Sequence, residues 1–269
     1  MTRLTPDLIE GVPDDRIDLD SRLLKTTGKT VKSLSLEAAG LPEDTDLSGF
    51  RVACVPITSG LGVIGGFSAS VDAIVRRLGM DSWVTEGTDV LGFSQGVSDG
   101  ADIIMMSDDP KFIAYNTREN RFIDNSWGTA LGYSVALKNA AGGLEGKEVL
   151  VIGAGLVGSR AVRILKDMGA DVHVTDILRE KAERVGTEYD VKVLPDVEVA
   201  LSQHDLILNA APAMFEGRLI REGSIFSTPG VPHGFDEEGR RKAKAIIHDP
   251  LEIGTAVMAV CSAAFSLRK

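Results

Sequence analysis

The sequence has few of the residues that build redox or metal sites. It contains two cysteines and four histidines in 269 residues. Cys54 and Cys261 both lie in apolar runs, which predicts buried free thiols rather than a disulfide or a catalytic nucleophile. The histidines are scattered along the chain, with no cysteine cluster and no paired spacing, so we expect no metal site.

The chain also lacks long apolar stretches and basic runs. No segment is long enough to span a bilayer and the amino terminus has no signal-peptide core, so we expect a cytoplasmic protein. The net charge of −10 argues against nucleic acid or an anionic membrane as a main partner. Hydrophobic residues make up 43% of the chain, which is ample for one large or two medium domains.

A glycine-rich motif, Gly153–Ala–Gly155–Leu–Val–Gly158, begins past the middle of the chain. The apolar, β-branched run 149–152 before it predicts a buried parallel strand. Helical spacing over 157–168 and a second strand at 171–175 come next. Because the motif follows a strand and opens a helix, it predicts a dinucleotide-binding Rossmann domain. A structural glycine-rich turn is the alternative interpretation.

Each glycine of the motif has a separate task. Gly153 allows a tight turn, Gly155 lets the backbone approach a pyrophosphate, and Gly158 lets helix and strand pack closely. Asp176 ends the second strand near the expected distance. It should accept hydrogen bonds from the adenosine ribose and repel a 2′-phosphate, which favours NAD over NADP, although the nearby Arg179 works against that choice. A solvated loop acid is the alternative for Asp176.

Two more loops of the second half, 209–212 and 227–232, each follow a predicted strand and should border the nicotinamide. Strands are predicted near 191–194, 206–208, 224–227 and 245–247. His233 could carry a proton, but an exposed loop histidine is the favoured interpretation. The cofactor-binding residues that we predict are Gly153, Gly155, Leu156, Val157, Gly158, Asp176, Ala210, Pro212, Thr228 and Pro229.

The first half alternates strands at 51–57, 82–85 and 101–106 with helices, which predicts a small parallel α/β sheet. Residues 1–46 should be helical, with Thr5 as an N-cap and Gly28 and Gly40 as helix ends. We therefore predict an α/β protein with a substrate and catalytic domain at 1–125 and a linking helix at 126–147. A Rossmann domain is predicted at 148–249, and a helix at 250–269 packs back on the first domain.

Ligands of open α/β sheets bind beyond the carboxyl ends of the strands. Three polar positions of the first half should lie there. The loop Thr58–Ser59–Gly60 suits a carboxylate or phosphate, Asp108 and Asp109 suit an ammonium group, and Asn125 opens the linking helix. The alternatives are a tight turn for the first loop, an N-cap before a helix at 108–110, and a plain helix cap at Asn125.

With these residues laid out, the chain resembles the dehydrogenase family that performs the last step of pyrrolysine biosynthesis. The resemblance runs through nearly the whole length and is loosest in 10–46 and 178–205. The segments that carry it are 4–6, 55–60, 62–68, 106–109, 149–153, 227–232 and 250–256.

The resemblance implies an N-terminal catalytic domain and a C-terminal Rossmann domain that binds NAD. It implies as substrate L-lysine acylated on its ε-nitrogen by 3-methyl-D-ornithine, whose terminal amine is oxidised. The imine or aldehyde would lose ammonia and close on the neighbouring α-amine to give the pyrroline ring. The substrate-binding positions that it implies are Leu4, Thr58, Ser59, Gly60, Ser68, Asp108 and Asn125.

Asp108 is the leading choice for managing the proton of the reacting amine, and the helix from Thr5 is a candidate lid. His233 stands where the family has a small residue, so no role is carried to it. A homodimer is expected only by analogy with this architecture. Two other functions stay open: another two-domain NAD(P)-dependent amino-acid or methylene-tetrahydrofolate dehydrogenase, and a non-catalytic NAD-sensing regulator. Many of the former place a lysine near the hydride, and 58–68 has none.

Overall fold

The computed structural model describes residues 9, 12, 16–60 and 64–268. The predicted substrate contact of Leu4 and the predicted helix start and lid at Thr5 lie outside these residues. Two helices, α1 (Arg16–Thr27) and α2 (Val31–Ala38), precede the first strand. As predicted, helices end at Gly28 and Gly40, which adopt left-handed φ values of 71° and 63°.

The first sheet has five strands in the order β2-β1-β3-β4-β5. They are β1 (Arg51–Val55), β2 (Asp81–Val84), β3 (Ile103–Ser107), β4 (Phe112–Asn116) and β5 (Arg121–Asp124). The first three are parallel, as predicted, and are connected by α3 (Phe67–Arg77) and α4 (Asp89–Ser98). Two further strands, β4 and β5, add antiparallel to β3 and were not predicted. The residues after β3 form a hairpin turn instead of starting a helix.

The second sheet is fully parallel, with the strand order β13-β11-β9-β6-β7-β8. Its strands are β6 (Glu148–Ile152), β7 (Asp171–Thr175), β8 (Lys192–Val193), β9 (Leu206–Asn209), β11 (Ile225–Ser227) and β13 (Ala245–Ile247). Its helices are α6 (Leu156–Asp167), α7 (Arg179–Tyr189), α8 (Val197–Gln203) and α9 (Glu237–Lys242). The predicted Rossmann sheet is thus confirmed. A two-stranded parallel sheet, β10 (Ala213–Phe215) with β12 (His233–Phe235), was not predicted.

Two long helices lie between the sheets. Helix α5 (Asn125–Ala140) follows β5, and α10 (Glu252–Leu267) follows β13. Every residue of α10 from Glu252 to Ala264 is buried, as expected for a helix that is apolar on all sides. It packs against α5 and also against α2, α3 and β4 of the first half. The last helix therefore completes the core of the first half.

The described helices of the chain include none that is long and apolar enough to cross a membrane. Cys54 in β1 and Cys261 in α10 are buried free thiols, as predicted. Burial raises the pKa of the Cys261 thiol to about 12. The thiolate, which is the nucleophilic form, is therefore strongly disfavoured at this position.

Candidate active site

The carboxyl end of the first sheet gathers the predicted substrate positions. Sheet register places Val55 beside Met106, Met106 beside Ile113, and Ile113 beside Asp124. The loop 58–60, the turn 108–109 and the start of α5 therefore emerge at one edge, which we call the first-sheet edge. Because adjacent strands lie about 4.8 Å apart, these positions spread over about 14 Å.

Thr58 is exposed and anchors its loop, because its amide and its hydroxyl both donate to Asp89. Its amide donates to Asp89 Oδ1 at 2.8 Å, and its hydroxyl donates to Asp89 Oδ2 at 2.5 Å. These hydrogen bonds lower the pKa of the Asp89 carboxyl. Gly60 has a φ of 75°, and a Cβ at this position would lie 2.3 Å from Asp109 Oδ2. The loop after β1 and the turn after β3 are therefore in contact.

Asp108 occupies the hairpin turn between β3 and β4. Its Oδ1 accepts the Lys111 amide at 2.8 Å, and its own amide donates to the Lys111 carbonyl at 2.9 Å. The alternative of an N-cap before a helix is wrong here, because an antiparallel strand follows the turn. Asp108 is exposed at the first-sheet edge, whereas Ser68 is half-buried in the first turn of α3.

Asn125 is the first residue of α5, but the cap of that helix is Asp124. The Asp124 Oδ1 accepts the Trp127 amide at 3.1 Å. The Asn125 Oδ1 accepts the Thr129 hydroxyl at 3.2 Å. Gly254 of α10 lies against this pair, because a Cβ there would be 2.5 Å from Thr129 Oγ1 and 3.1 Å from Asn125 Oδ1. The glycine therefore brings α10 close to the first-sheet edge.

The glycine loop after β6 is a tight turn that requires glycine at two of its positions. Gly153 has a φ of 96°, and its amide donates to the Thr175 carbonyl at 2.8 Å. A Cβ on Gly158 would lie 1.7 Å from the Gly153 carbonyl oxygen, so only glycine fits. A Cβ on Gly155 would meet no atom within 4 Å. Space for a ligand therefore lies beside the start of α6, where the helix dipole favours an anion.

Asp176 is tied to the same loop. Its Oδ2 accepts the Ala154 amide at 2.7 Å, and its Oδ1 accepts the Leu178 amide at 2.8 Å. The carboxylate is half-buried at the end of β7. It is therefore held beside the glycine loop, and its role as a partner of an adenosine ribose stays a prediction.

The other predicted cofactor positions follow neighbouring strands of the second sheet. Asn209 Nδ2 donates to the Ala211 carbonyl at 2.9 Å and to Thr228 Oγ1 at 3.0 Å. A Cβ on Gly230 would lie 2.1 Å from the Ala211 oxygen. The loops after β9 and β11 are thus packed together beside the glycine loop. These three loops and the first turn of α6 hold Gly153, Gly155, Leu156, Val157, Gly158, Ala210, Pro212, Thr228 and Pro229.

His233 is not the exposed loop histidine that the sequence favoured. It lies half-buried at the start of β12, and its ring centroid is 3.5 Å from that of His248. Burial lowers the pKa of His233 to about 4, with His248 as a secondary cause. His248 Nδ1 lies 2.7 Å from the Thr228 carbonyl oxygen, so this nitrogen carries the donated proton. Both imidazoles are neutral near pH 7, since burial also lowers the pKa of His248.

One contact between the two halves has no signature in the sequence. Arg160, in the second turn of α6, donates through Nη1 to Asp124 Oδ1 at the end of β5. Burial alone would raise the pKa of Asp124, but its hydrogen bonds with Arg160 and Ser126 outweigh burial and lower it. The contact borders a cleft of about 340 Å³. The cleft is lined by Phe122, Ile123, Asp124, Trp127, Arg160, Arg163 and Tyr189.

Two α/β halves with two long helices between them, and a glycine loop at a helix start in the second half, are the architecture of two-domain dehydrogenases with a Rossmann fold. Solved structures of low identity share this fold. Shikimate 5-dehydrogenase of Thermus thermophilus, in complex with NADP(H) and shikimate, is 17% identical. It covers 81% of this chain and 92% of its own, with a TM-score of 0.53. Quinate dehydrogenase of Corynebacterium glutamicum, in complex with NAD, is 13% identical. It covers 81% of this chain and 99% of its own, with a TM-score of 0.51.

The family described as pyrrolysine biosynthesis protein PylD, N-terminal domain, matches residues 9–123, and alanine dehydrogenase/PNT, C-terminal domain, matches 130–219. The pyrrolysine synthase of Methanosarcina barkeri (strain Fusaro) is 33% identical over 96% of this chain and 97% of its own. The pyrrolysine synthase of Methanosarcina acetivorans is 31% identical over 96% of this chain and 98% of its own. This chain therefore belongs to the pyrrolysine synthase family, which confirms the resemblance, and is a dehydrogenase-type enzyme of pyrrolysine biosynthesis.

Proposed function

We propose that this chain oxidises the terminal amine of L-lysine-Nε-3-methyl-D-ornithine with NAD⁺ and so forms pyrrolysine. The observation that carries the proposal is the contact between Asp124 and Arg160. It joins the end of β5, where the polar first-sheet edge lies, to α6, which starts at the glycine loop. A substrate held at that edge and a dinucleotide held at that loop can therefore meet. Family membership supports the choice of substrate.

The second half would hold NAD⁺, which accepts a hydride when bound. Gly153, Gly155 and Gly158 leave room for the pyrophosphate at the start of α6. Asp176 would accept hydrogen bonds from the ribose hydroxyls, and its negative charge would repel the 2′-phosphate of NADP. The proposed cofactor is therefore NAD.

The first half would hold the dipeptide-like substrate. Ser59 and its loop, Asp108 and Asn125 offer hydroxyl, carboxylate and amide groups to the amines and carboxylate of such a molecule. The reacting amine must be neutral before its carbon releases a hydride, so a proton has to leave the ammonium form. We assign to Asp108 the role of accepting that proton, because its carboxylate is exposed at the first-sheet edge.

The proposed reaction needs no oxidant besides NAD⁺. The carbon bearing the amine loses a hydride, and its nitrogen loses a proton, which leaves a C=N bond. The neighbouring α-amine attacks this carbon, ammonia leaves, and the new C=N bond closes the pyrroline ring. The chain contributes the orientation of the two amines, since a fixed geometry removes much of the entropic cost of ring closure.

The test mixes the purified protein with the lysine–methylornithine isopeptide and NAD⁺, and follows NADH absorbance and product mass together. NADH formation with the mass of pyrrolysine supports the proposal. Asn125→Asp retains the oxygen that accepts the Thr129 hydroxyl but loses the amide donors, so we expect it to raise the substrate KM by at least about tenfold. Ser94→Ala, an exposed position on α4, is the matched control.

Two results would contradict the proposal. NADH formed from another amino acid, but not from the isopeptide, would indicate a different two-domain dehydrogenase. NAD⁺ binding without turnover of any amine, and unchanged by Asn125→Asp, would instead indicate a regulatory NAD sensor.

A further inference from the structure

The four histidines are scattered in the sequence but form two pairs in the structure. One pair, His233 with His248, borders the proposed nicotinamide site. The other, His173 with His204, lies in the second sheet: His173 is in β7, and His204 stands between α8 and β9. His173 and His204 are 4% and 3% exposed. The second pair has no part in the proposed reaction, so its arrangement needs a separate explanation.

A carboxylate completes this second pair. Glu148, the first residue of β6, places a ligand atom within 4.8 Å of ligand atoms of both His173 and His204. Two imidazole nitrogens and one carboxylate oxygen are a ligand set that Zn²⁺ accepts, with water in the fourth position. Glu148 is exposed, so an ion can enter from solvent at this point.

We propose that Glu148, His173 and His204 form a Zn²⁺ site at the amino edge of the second sheet. The site lies at the opposite end of β6 from the glycine loop. Ile152 is four positions further along the strand than Glu148, which corresponds to about 13 Å. A metal ion here would join β6, β7 and the junction between α8 and β9, and would not touch the cofactor.

Hydrogen bonds already orient His204 for this role. Its Nδ1 lies 2.6 Å from the Ala200 carbonyl oxygen, which can only accept, so Nδ1 carries the proton. With Nδ1 as the donor to this carbonyl, Nε2 is the nitrogen left to accept from His173 or to bind a metal ion. Metal-binding histidines are commonly oriented by such a bond from the second ring nitrogen to a backbone carbonyl.

His173 has a neighbour at each of its two ring nitrogens. Its Nδ1 lies 2.7 Å from His204 Nε2 and donates the proton between them, while its Nε2 is 3.9 Å from Asp171 Oδ1. When a metal takes the place of that shared proton, the proton moves to Nε2 and faces Asp171. The two nitrogens would separate to about 3.3 Å, as tetrahedral Zn–N bonds require. No net proton is released, because only the tautomer of His173 changes.

The test uses tag-free protein from which EDTA has been removed. The protein is dialysed against about 10 μM ZnCl₂ and passed through gel filtration before its metal content is measured. We expect one Zn²⁺ per chain. A saturating excess of Zn²⁺ should raise the melting temperature by about 5 °C. The Kd for NAD⁺ should change by less than about twofold, because the site is remote from the glycine loop.

Glu148→Gln and His204→Gln should each weaken Zn²⁺ binding by at least about tenfold, and Asp171→Asn by a similar factor through His173. His233→Gln is the matched control and should bind Zn²⁺ as the wild type does. Glu148 is exposed, so its variant carries the test if the buried His204 variant does not fold. Absence of bound Zn²⁺ in the wild type overturns the proposal. Binding that survives Glu148→Gln, or that is lost in His233→Gln, also overturns it.

Discussion

Arg77 and Glu252 form a buried ion pair between the first half of the molecule and its last helix. Arg77 Nη1 lies 2.6 Å from Glu252 Oε2, and the two side chains are 12% and 3% exposed. Arg77 also donates to the Val12 carbonyl. Because α3 carries the arginine and α10 begins with the glutamate, the pair fixes where the last helix enters the core.

Arg77→Ala should lower the free energy of unfolding by about 3 kcal/mol, since it leaves the Glu252 charge buried with a partner removed. Urea unfolding followed by circular dichroism measures the loss. Asp18→Asn, which breaks an exposed ion pair with Arg22 on α1, is the control and should cost less than about 1 kcal/mol. Equal losses in the two variants would contradict a special role for the buried pair.

Gly128→Ala should destabilise the contact between α5 and α10. A Cβ at this position would lie 2.6 Å from Met258 Cγ and 2.9 Å from the Gly254 carbonyl oxygen. The methionine can move but the backbone oxygen cannot, so overpacking should outweigh the helix propensity that alanine adds and cost about 1–2 kcal/mol. Gly49→Ala, where a Cβ meets no atom within 4 Å, should unfold as the wild type does. A stabilised Gly128→Ala variant would show that the helices are not in close contact.

Asp176→Asn should reduce the preference for NAD⁺. The amide retains one oxygen for the Ala154 amide of the glycine loop, but it loses the acceptor of the Leu178 amide and the charge that would repel a 2′-phosphate. We expect the ratio of kcat/KM for NAD⁺ to that for NADP⁺ to fall at least about tenfold. Glu180→Gln removes a nearby exposed charge from the first turn of α7 and should leave the ratio unchanged. An unchanged ratio in Asp176→Asn would assign cofactor choice to another residue.

Arg160→Gln should change the acid limb of the stability curve. The folded-state pKa of Asp124 lies below its ordinary value, so the pair with Arg160 contributes full stability above about pH 4. That contribution is lost as the pH falls through the folded-state pKa. The melting temperature of Arg160→Gln should therefore be lower than wild type at pH 7, and the gap should narrow towards pH 3.

Arg163→Gln is the control for Arg160, because it lies one turn further along α6 and pairs with the exposed Asp167 at 3.9 Å. Its difference from wild type should be small at every pH. A gap for Arg160→Gln that stays constant between pH 7 and pH 3 would exclude Asp124 as the group that titrates.

Local patterns were enough to predict most of the fold. The run 149–152 is continuously apolar and β-branched, and the spacing of the glycines after it is typical of the turn between a strand and a helix. The Rossmann half can therefore be predicted from nearby residues. The hairpin of β4 and β5 could not be predicted in this way, because Asp108–Asp109–Pro110 suits both a turn and a helix cap. The residues after the proline decide between the two, and the alternating burial of β4 depends on its position in the sheet.

The proposed site was predictable only where its residues lie at strand ends. Asn125 and the loop 58–60 could be placed there because strand register brings them to one edge. The contact of Asp124 with Arg160 depends on how the two halves pack against each other, and no sequence spacing encodes that. His173 and His204 are likewise 31 residues apart, and they meet only through the order of strands in the second sheet.

The position of α10 also sets an order for maturation during synthesis. The surfaces of α2, α3, α5 and β4 that receive this helix leave the ribosome before the whole second sheet has been translated. Until Glu252–Leu267 emerges, those apolar surfaces are open to water and to chaperones. The first half can therefore reach its final packing only after the second half has been made. A ribosome that stalls within the second sheet would release a chain whose first half, although fully translated, still has an incomplete core.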